Sequence, residues 1–354
     1  MNRVLLSTLT ISLLSSSLFA QEDMTTVAGK GQIYYYTTSA EKLFDKKSTQ
    51  SAAAVTFDIQ HKISDSITSN FTVVGHSHLG SGWGTLHMEN SRTGGFFNVA
   101  NITGSSSGIN FVLGRQLLDT PMLGSFHWLL APSSFEAYTL GYNVNSNISL
   151  LASYVNKVRA NNSGDNFKKL HDSNYAVGVA YKDGLEANLW FYRLDDKKLD
   201  YSQLYLDATE NRNGINLSLQ TVKTNYGTGK NSLSYGLKAS SEASGLEYSF
   251  AVNHIADRET GMVGVDSIYT SSWNSFASQD IGTSWKAEVS EKLNSGQSAT
   301  ISYASYDTIG NEFDIILGYP ISSSLSFDAI YANTKYHEDS SSENSLEFVG
   351  TYKF

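Results

Sequence analysis

The sequence predicts an all-β fold, a transmembrane antiparallel β-barrel of about 18 strands, with 16 as the alternative. Three observations lead to this prediction. Apolar and polar residues alternate along much of the chain, with the period of two that strands require. The connections between the alternating windows are short and long in turn. Beyond residue 20, no window approaches the 18 to 20 apolar residues of a membrane helix.

The composition narrows the functional classes. The 354 residues include no cysteine, 3 prolines, 28 glycines and 21 tyrosines, and the formal net charge is −9. The lack of cysteine excludes a disulfide scaffold, a cysteine zinc site and a thiol nucleophile. Binding to nucleic acid requires clustered Lys and Arg against the phosphates, so the acidic balance predicts no nucleic-acid partner.

The first 20 residues are typical of a secretory signal peptide. Arg3 gives a basic start, residues 4–14 an apolar stretch, and residues 15–20 a small-residue exit. We expect cleavage after Ala20, and the alternative is a buried N-terminal helix. No linker or shift in composition divides residues 21–354, which predicts a single barrel domain.

Windows of period two define the predicted strands. In one of the clearest, Tyr175, Val177 and Val179 alternate with Ala176 and Gly178. With the weaker windows included, we expect strands centred near residues 33, 57, 72, 99, 112, 138, 152, 178, 189, 205, 217, 235, 249, 286, 301, 316, 328 and 349. Strands of about 9–11 residues span a bilayer, so this number of strands fits the length of chain after the signal peptide.

The connections follow a second, independent pattern. After every even strand the connection is short and turn-like, as at Asp183-Gly184. After odd strands most connections are longer, notably Leu79 to Gly95, Leu117 to Ser134, Arg159 to Asp172 and Ala256 to Asp280. Short turns on one rim and long loops on the other are typical of bacterial outer-membrane barrels.

The polarity of the two predicted faces favours a membrane environment. Within lipid, every backbone N–H and C=O needs a partner, which only helices and closed barrels provide. The inward set of Ser, Thr, Asn, Gly and charged residues is too polar for a dry core and predicts a water-filled lumen. A secreted β-helix or adhesin is the soluble alternative. Aromatic residues near predicted strand ends fit interfacial girdles: Tyr35, Tyr142, Tyr154, Tyr181, Trp285, Tyr303, Tyr319, Tyr331 and Tyr352.

Two segments resemble known porins. The last strand ends in Phe354, after Leu346, Phe348 and Tyr352, and is similar to the C-terminal signature of outer-membrane porins. The segment Gly114 to Pro121 resembles the strand-to-loop passage of OprD-type and MOMP-type porins. These families have 18 strands, and their third extracellular loop folds into the lumen as a constriction.

The resemblance implies an outer-membrane porin for passive diffusion of small hydrophilic solutes and ions, without enzymatic activity or a cofactor. The implied partners are outer-membrane lipid, lipopolysaccharide and the barrel-assembly machinery, with a homotrimer as one option. A barrel protease or lipase and an adhesin are the alternatives. The sequence contains no convincing Ser/His or Asp/His constellation for the enzyme and no spare residues for a soluble adhesin domain.

The loop from Leu117 to Ser134 is the third on the long-loop rim. It contains two of the three prolines, with the apolar run from Phe126 through His127 and Trp128 to Leu130 between them. An exposed loop is rarely so apolar, so we expect it to form the constriction; an external loop is the alternative. By the resemblance, Asp119 faces the eyelet and Arg115 the opposing wall. Alternation alone does not decide which face of the barrel Arg115 occupies, because apolar residues share its parity.

Parity also predicts which charged side chains face the lumen. They are Asp58, Lys157, Lys182, Glu186, Lys238, Glu247, Lys286, Glu288, Asp314, Asp328, Glu347 and Lys353. OprD-type channels carry a ladder of basic residues, which acidic residues dilute here. The mixed set predicts weak cation selectivity; the alternative is that these charges only keep the lumen wet.

Three further motifs are candidate sites. His76 and His78 share one face of a strand and, with His87, match part of a transition-metal site, but no acidic cluster accompanies them, and we expect no metal. The segment Gly104 to Gly108 matches the Gly-x-Ser-x-Gly string of hydrolases but joins two strands, which favours a serine-rich turn. We expect the segment from His337 to Asp339 to be a solvated loop, with divalent cations bridging to lipopolysaccharide as the alternative.

Overall fold

The computed structural model describes residues 24–40, 42–80, 93–171, 173–195, 200–293, 295–339 and 341–354. The predicted signal peptide lies outside them. The strands are β1 (Thr25–Thr38), β2 (Thr49–Ser64), β3 (Ile67–His78), β4 (Thr93–Ser106), β5 (Ile109–Gln116), β6 (Ser134–Asn143), β7 (Ile148–Arg159), β8 (Lys168–Lys169), β9 (Tyr175–Asp183), β10 (Leu185–Asp195), β11 (Asp200–Arg212), β12 (Ile215–Tyr226), β13 (Ser232–Ala243), β14 (Leu246–Ala256), β15 (Gly282–Lys292), β16 (Ser298–Ser305), β17 (Gly310–Pro320), β18 (Leu325–Tyr336) and β19 (Glu343–Lys353).

Eighteen of these strands form one closed antiparallel barrel. Each long strand pairs with its neighbours in sequence, and β1 also pairs with β19, from Lys30 opposite Lys353 to Thr38 opposite Ser345. The two-residue strand β8 pairs only with the end of β7 and lies outside the ring, since β7 continues to β9. Each predicted strand centre falls within a different long strand. The prediction of an 18-stranded barrel is therefore confirmed, and 16 strands is wrong.

The two rims differ as the connections predict. The short turns and both ends of the barrel chain lie on one rim, and the long connections lie on the other. Three two-residue turns have positive φ at both positions: Ser107-Gly108, Asn213-Gly214 and Ser244-Gly245. Their backbone twist matches the twist of a tight hairpin. The first of them belongs to the Gly-x-Ser-x-Gly string, which therefore forms a turn between β4 and β5.

The outer surface of the barrel is apolar. Along β13, Leu233, Tyr235 and Leu237 are exposed, while the alternate Ser232 and Ser234 are buried inside. Seven of the nine predicted girdle aromatics are also exposed. A continuous belt of large apolar side chains suits the hydrocarbon of a bilayer rather than water. No helix within the described ranges is long and apolar enough to cross a membrane.

Phe354 completes the seam between β1 and β19. Its backbone N–H donates to the carbonyl of Gly29 at 2.9 Å, and the N–H of Gly29 donates back at 2.8 Å. The Phe354 ring covers Gly29 so closely that a Cβ there would lie 2.2 Å from it. The ring also packs against Phe57, with centroids 5.7 Å apart. The last residue therefore joins three strands at the closing point of the barrel.

Removal of Phe354 is expected to weaken closure of the barrel. The deletion loses two seam hydrogen bonds and the ring contacts, each worth about 1 kcal/mol. The purified protein should show heat-modifiable migration on gels, and the deletion should unfold at a lower temperature and assemble less completely. Phe354→Tyr, which keeps the ring, is the control. Unchanged assembly and unfolding of the deletion would contradict this role.

Candidate functional site: two loops inside the barrel

The third long loop runs through the lumen. We call residues 117–133 inward loop A. Its Met122 N–H donates to the hydroxyl of Tyr192 on β10 at 3.3 Å. Near its other end, the indole N–H of Trp128 donates to Glu347 on β19 at 2.9 Å and lies 3.1 Å from the hydroxyl of Tyr34 on β1. Strands β1 and β10 stand nearly opposite each other in the ring, so loop A crosses most of the lumen.

Apolar burial holds loop A inside. Leu118, Met122 and Leu123 pack in one core cluster with the aromatic inner wall of β10 and β11. Leu129 and Leu130 pack in a second cluster with Tyr34 and its neighbours. Burying each such side chain is worth about 1.5–3 kcal/mol relative to exposure. The apolar composition that predicted this position therefore also stabilises it.

The end of loop A is fixed by a buried guanidinium. The carbonyl of Pro132 accepts a hydrogen bond from Arg159 at 2.8 Å and another from Asn98 at 3.3 Å. Arg159 is 0% exposed, and its guanidinium lies 4.4 Å from the centre of the Phe96 ring. A buried cation needs several acceptors and packing partners, and here they tie two strands, β4 and β7, to the loop.

A second loop, which the sequence identified only as a long connection, also folds inward. We call residues 257–281 inward loop B. It runs along the inner wall from β11 to β19. The amide of Gln203 donates to the Thr260 carbonyl at 2.7 Å, and the amide of Gln220 donates to the Ser267 carbonyl at 2.8 Å. Its buried residues Ile268, Trp273 and Ala277 are a short apolar signal, of the same kind that identified loop A.

The two inward loops bond to each other. The N–H of Gly124 donates to the Val263 carbonyl at 3.0 Å, and the N–H of Val263 donates to the Met122 carbonyl at 3.0 Å. Gly264 has φ +85°, and a Cβ there would lie 2.1 Å from the Gly124 carbonyl oxygen. Only glycine permits this approach. The loops therefore form one body across the lumen.

Glu347 joins both loops to the wall. Its carboxylate accepts from the Trp273 indole N–H at 2.7 Å, from the Trp128 indole N–H at 2.9 Å and from the hydroxyl of Tyr34. The two indole rings meet edge to face at 6.3 Å between centroids. Glu347 is 2% exposed. Charge-assisted hydrogen bonds of this kind are roughly twice as strong as neutral ones.

Two further buried acids anchor loop B. Asp314 accepts from the backbone N–H of Trp273 at 3.1 Å and from Ser302 at 3.0 Å. Glu312, which parity counting omitted, accepts from the backbone and side-chain amides of Asn274 at 2.9 and 2.7 Å. Asp314 and Glu347 thus point inward as parity indicates, but the loops cover them. The sequence predicted that Asp314 and Glu347 face the water of the lumen, and in the structure they do not.

The open edge of loop A carries the polar groups. Asp119 and His127 are exposed, and Phe126 between them is half-buried beside Trp128, with ring centroids 5.8 Å apart. Loss of bulk water lowers the pKa of His127 below its ordinary value, and the charge of Lys30 lowers it further, whereas the Asp119 carboxylate opposes the shift. Lys30 lies on the inner face of β1 and was not predicted. His127 is consequently neutral at pH 7.

Arg115 and Lys157 lie on the outer face instead of the inner one. Arg115 shares the parity of the exposed Leu113, donates to the Phe97 carbonyl at 3.0 Å and stacks on Phe167 at 4.1 Å. Lys157 pairs with Glu136 at 2.9 Å. A β-bulge at Asn156 inserts one residue into β7 and reverses the parity of the strand beyond it. The structure therefore does not place either cation opposite Asp119.

The other predicted charges share the inner face of the barrel. Lys182 pairs with Glu186 at 2.6 Å, and Lys286 pairs with Glu288 at 2.8 Å. The remaining members are Asp58, Lys238, Glu247, Asp328 and Lys353. If Lys30 is added to the predicted set, and Lys157, Asp314 and Glu347 are left out, the set contains five basic and five acidic residues.

The predicted histidine group is only partly described. His76 and His78 share the inner face of β3, and His76 is buried beside Phe96. His87 lies outside the described residues. Within the described ranges, no three His, Asp or Glu side chains come together in a way that could hold a metal ion.

Solved structures share this fold. No family model matches the sequence, and no curated protein matches it. OpdK from Pseudomonas aeruginosa, solved with vanillate, is similar with a TM-score of 0.79 and 16% identity over 93% of this chain and 98% of that one. OccAB4 from Acinetobacter baumannii is similar with a TM-score of 0.77 and 14% identity, over 94% of this chain and 99% of that one. A BenF-like porin from Pseudomonas fluorescens Pf-5 is similar with a TM-score of 0.76 and 11% identity, over 94% of this chain and 99% of that one.

This chain has the fold of these porins. The resemblance to OprD-type porins seen in the sequence is confirmed at the level of the fold. With 11–16% identity, the likeness extends to the 18-stranded architecture and not to individual site residues. The arrangement of the inward loops is therefore described from this chain alone.

Substitution of Glu347 is expected to loosen both inward loops. Glu347→Ala removes the carboxylate that accepts from both indole N–H groups; Trp128 keeps the Tyr34 hydroxyl as an acceptor, whereas the buried Trp273 N–H loses its hydrogen bond to Glu347, at a cost of about 1–3 kcal/mol. Acrylamide should quench tryptophan fluorescence more strongly in this variant, and proteases should cleave loops A and B faster. Quenching and cleavage in Glu347→Gln should be intermediate between those in Glu347→Ala and those in the parent. Glu247→Ala, on the same inner face, is the control. Equal quenching in Glu347→Ala and the parent would contradict the anchoring role.

Proposed function

We propose that this protein is an outer-membrane porin through which small hydrophilic solutes and ions diffuse. The observation that carries the proposal is the lumen itself: an apolar-walled closed barrel, polar inside, narrowed by two loops whose open edge carries Asp119 and His127. Water and solutes pass such an opening because its groups interact without binding tightly. The solved porins of the same fold, one of which contains vanillate, support this function.

Weak cation selectivity is part of the proposal. The water-facing wall charges nearly cancel, so they set no strong preference. Asp119 is the charged group on the open edge of loop A, and His127 beside it is neutral at pH 7 because its pKa is lowered. A charge acts over a Debye length of roughly 8–10 Å, which matters most at a narrow point. Asp119 therefore sets a modest preference for cations.

Several further assignments belong to the same proposal. Residues 1–20 direct export, and residues 21–354 form the single barrel domain. The barrel-assembly machinery recognises the terminal strand, lipopolysaccharide surrounds the long-loop rim, and a homotrimer is one assembly. We assign no enzymatic activity and no cofactor.

Shortening loop A is expected to increase conductance. A variant lacking residues 120–131 removes the segment that crosses the lumen, while the strands that close the barrel remain. Its single-channel conductance in planar bilayers should rise about twofold or more, since the narrowest section dominates resistance. Circular dichroism and heat-modifiable migration check that the barrel is assembled. An assembled variant that conducts like the parent would contradict a constriction at loop A.

Neutralising Asp119 is expected to change selectivity without changing pore size. Asp119→Asn keeps the side-chain volume and removes the charge at the open edge of loop A. Reversal potentials in a salt gradient at pH 7 should move toward anion preference, with conductance nearly unchanged. Glu136→Gln, on the outer face, is the matched control and should leave the reversal potential in place. The proposal fails on this point if the two variants behave alike.

A further inference from the structure

A cavity of about 580 Å³ lies at the long-loop rim, between inward loop B and the ends of β16 to β18. We call it the rim cavity. Its apolar wall is formed by Phe276, Ile309 and Tyr336, and its polar wall includes Thr308, Glu338 and Asp339. Pockets that bind small molecules typically enclose about 300–1,000 Å³. The rim cavity has a volume in this range, is open to solvent on one side, and lies at the mouth.

The walls of the rim cavity are fixed by hydrogen bonds. The buried carboxylate of Asp280 accepts from the backbone N–H of Thr308 at 2.8 Å and from its hydroxyl at 2.7 Å. The backbone N–H of His337 donates to the Ile309 carbonyl at 3.1 Å, and its Nε2 lies 3.0 Å from the Tyr306 carbonyl oxygen. The connection between β16 and β17 is thereby held against both loop B and the end of β18. A preformed wall lowers the ordering cost of binding a ligand.

The aromatic part of the wall is equally fixed. The Phe276 ring packs edge to face against Tyr336, with centroids 6.0 Å apart, and against Tyr306 at 6.1 Å and 90°. Phe276 is thus held between two tyrosines and lines the rim cavity with Tyr336. Rings placed in this way can receive a cation on their faces or an apolar group at their surface.

The charges of the lining have one sign. Glu338 and Asp339 contribute two exposed carboxylates, and no Lys or Arg lines the rim cavity within the described residues. A solute anion would be repelled here. Calcium prefers six to eight oxygen ligands in a close shell, which a wide cavity with aromatic walls does not offer. A solute with a positive head and an apolar body matches both halves of the lining.

We propose that the rim cavity binds organic ammonium ions. The carboxylates of Glu338 and Asp339 face the charged head, and Phe276 and Tyr336 contact its apolar body. As part of the proposed channel, the rim cavity would concentrate such solutes at the long-loop mouth. Binding itself does not require that the barrel conducts, so the two proposals can be tested separately.

Binding can be measured on the intact barrel in detergent with benzyltrimethylammonium as the probe. Isothermal titration should detect one site for this cation, whereas benzyl alcohol and benzoate, its neutral and anionic counterparts, should bind at least about tenfold more weakly. Glu338→Gln with Asp339→Asn should weaken probe binding about threefold or more. Phe276→Leu keeps an apolar side chain, should preserve the loop, and should also weaken binding. Glu242→Gln, at the short-turn rim, is the control.

Each outcome decides the proposal. Loss of binding in the carboxylate and Phe276 variants, with normal binding in the control, supports it. Absence of probe binding, equal binding of all three probes, or displacement of the probe by micromolar calcium overturns it. Single-channel conductance without any probe is recorded for the parent and for Glu242→Gln, and the two should be equal. If the parent binds the probe but does not conduct ions, the proposed binding at the rim cavity is supported and the proposed porin function is contradicted.

Discussion

The carboxylate of Glu347 is the interaction on which the interior of this barrel depends. Two long loops enter the lumen, and each brings an indole N–H that needs an acceptor once it is buried. Both donate to the same carboxylate, which also accepts from Tyr34 on the wall. Because one buried group serves both loops, the departure of either loop takes one hydrogen-bond donor from the buried Glu347 carboxylate. The position of both loops inside the barrel follows from this shared acceptor.

The closed ring of strands makes that arrangement feasible. A barrel without free edges supplies a rigid wall, and its inner face presents carboxylates at fixed heights on β17 and β19. Glu312, Asp314 and Glu347 therefore meet backbone and side-chain donors of loop B at successive points. The same inner face stays polar where no loop covers it, and there its charges pair with each other, as Lys182 does with Glu186. Covered acids stabilise the loops, whereas open charges face the solute path.

Much of this fold could be predicted from the sequence, because period-two alternation and alternating connection lengths are local signals. The strand count and the rim on which the connections lie follow from them, whereas the inward position of loop A was predicted from its apolar run between two prolines. The outward placement of Lys157 could not be predicted from the sequence, because the alternation before Asn156 gives no sign of the one-residue bulge there. Loop B was missed since its apolar residues are spread among polar ones. That Asp314 and Glu347 are covered depends on the path of loop B, which strand parity does not contain.

We propose that the solute path runs along the open edge of loop A. The chain has no cysteine, so a single engineered thiol reports on one position only. The most direct measurement is the single-channel current of Asp119→Cys while a cationic methanethiosulfonate reagent is added. We expect a stepwise fall in current at Asp119→Cys and none at Val289→Cys, because Val289 lies on the outer face. Complete modification of Asp119→Cys, checked by mass, with an unchanged current would contradict it.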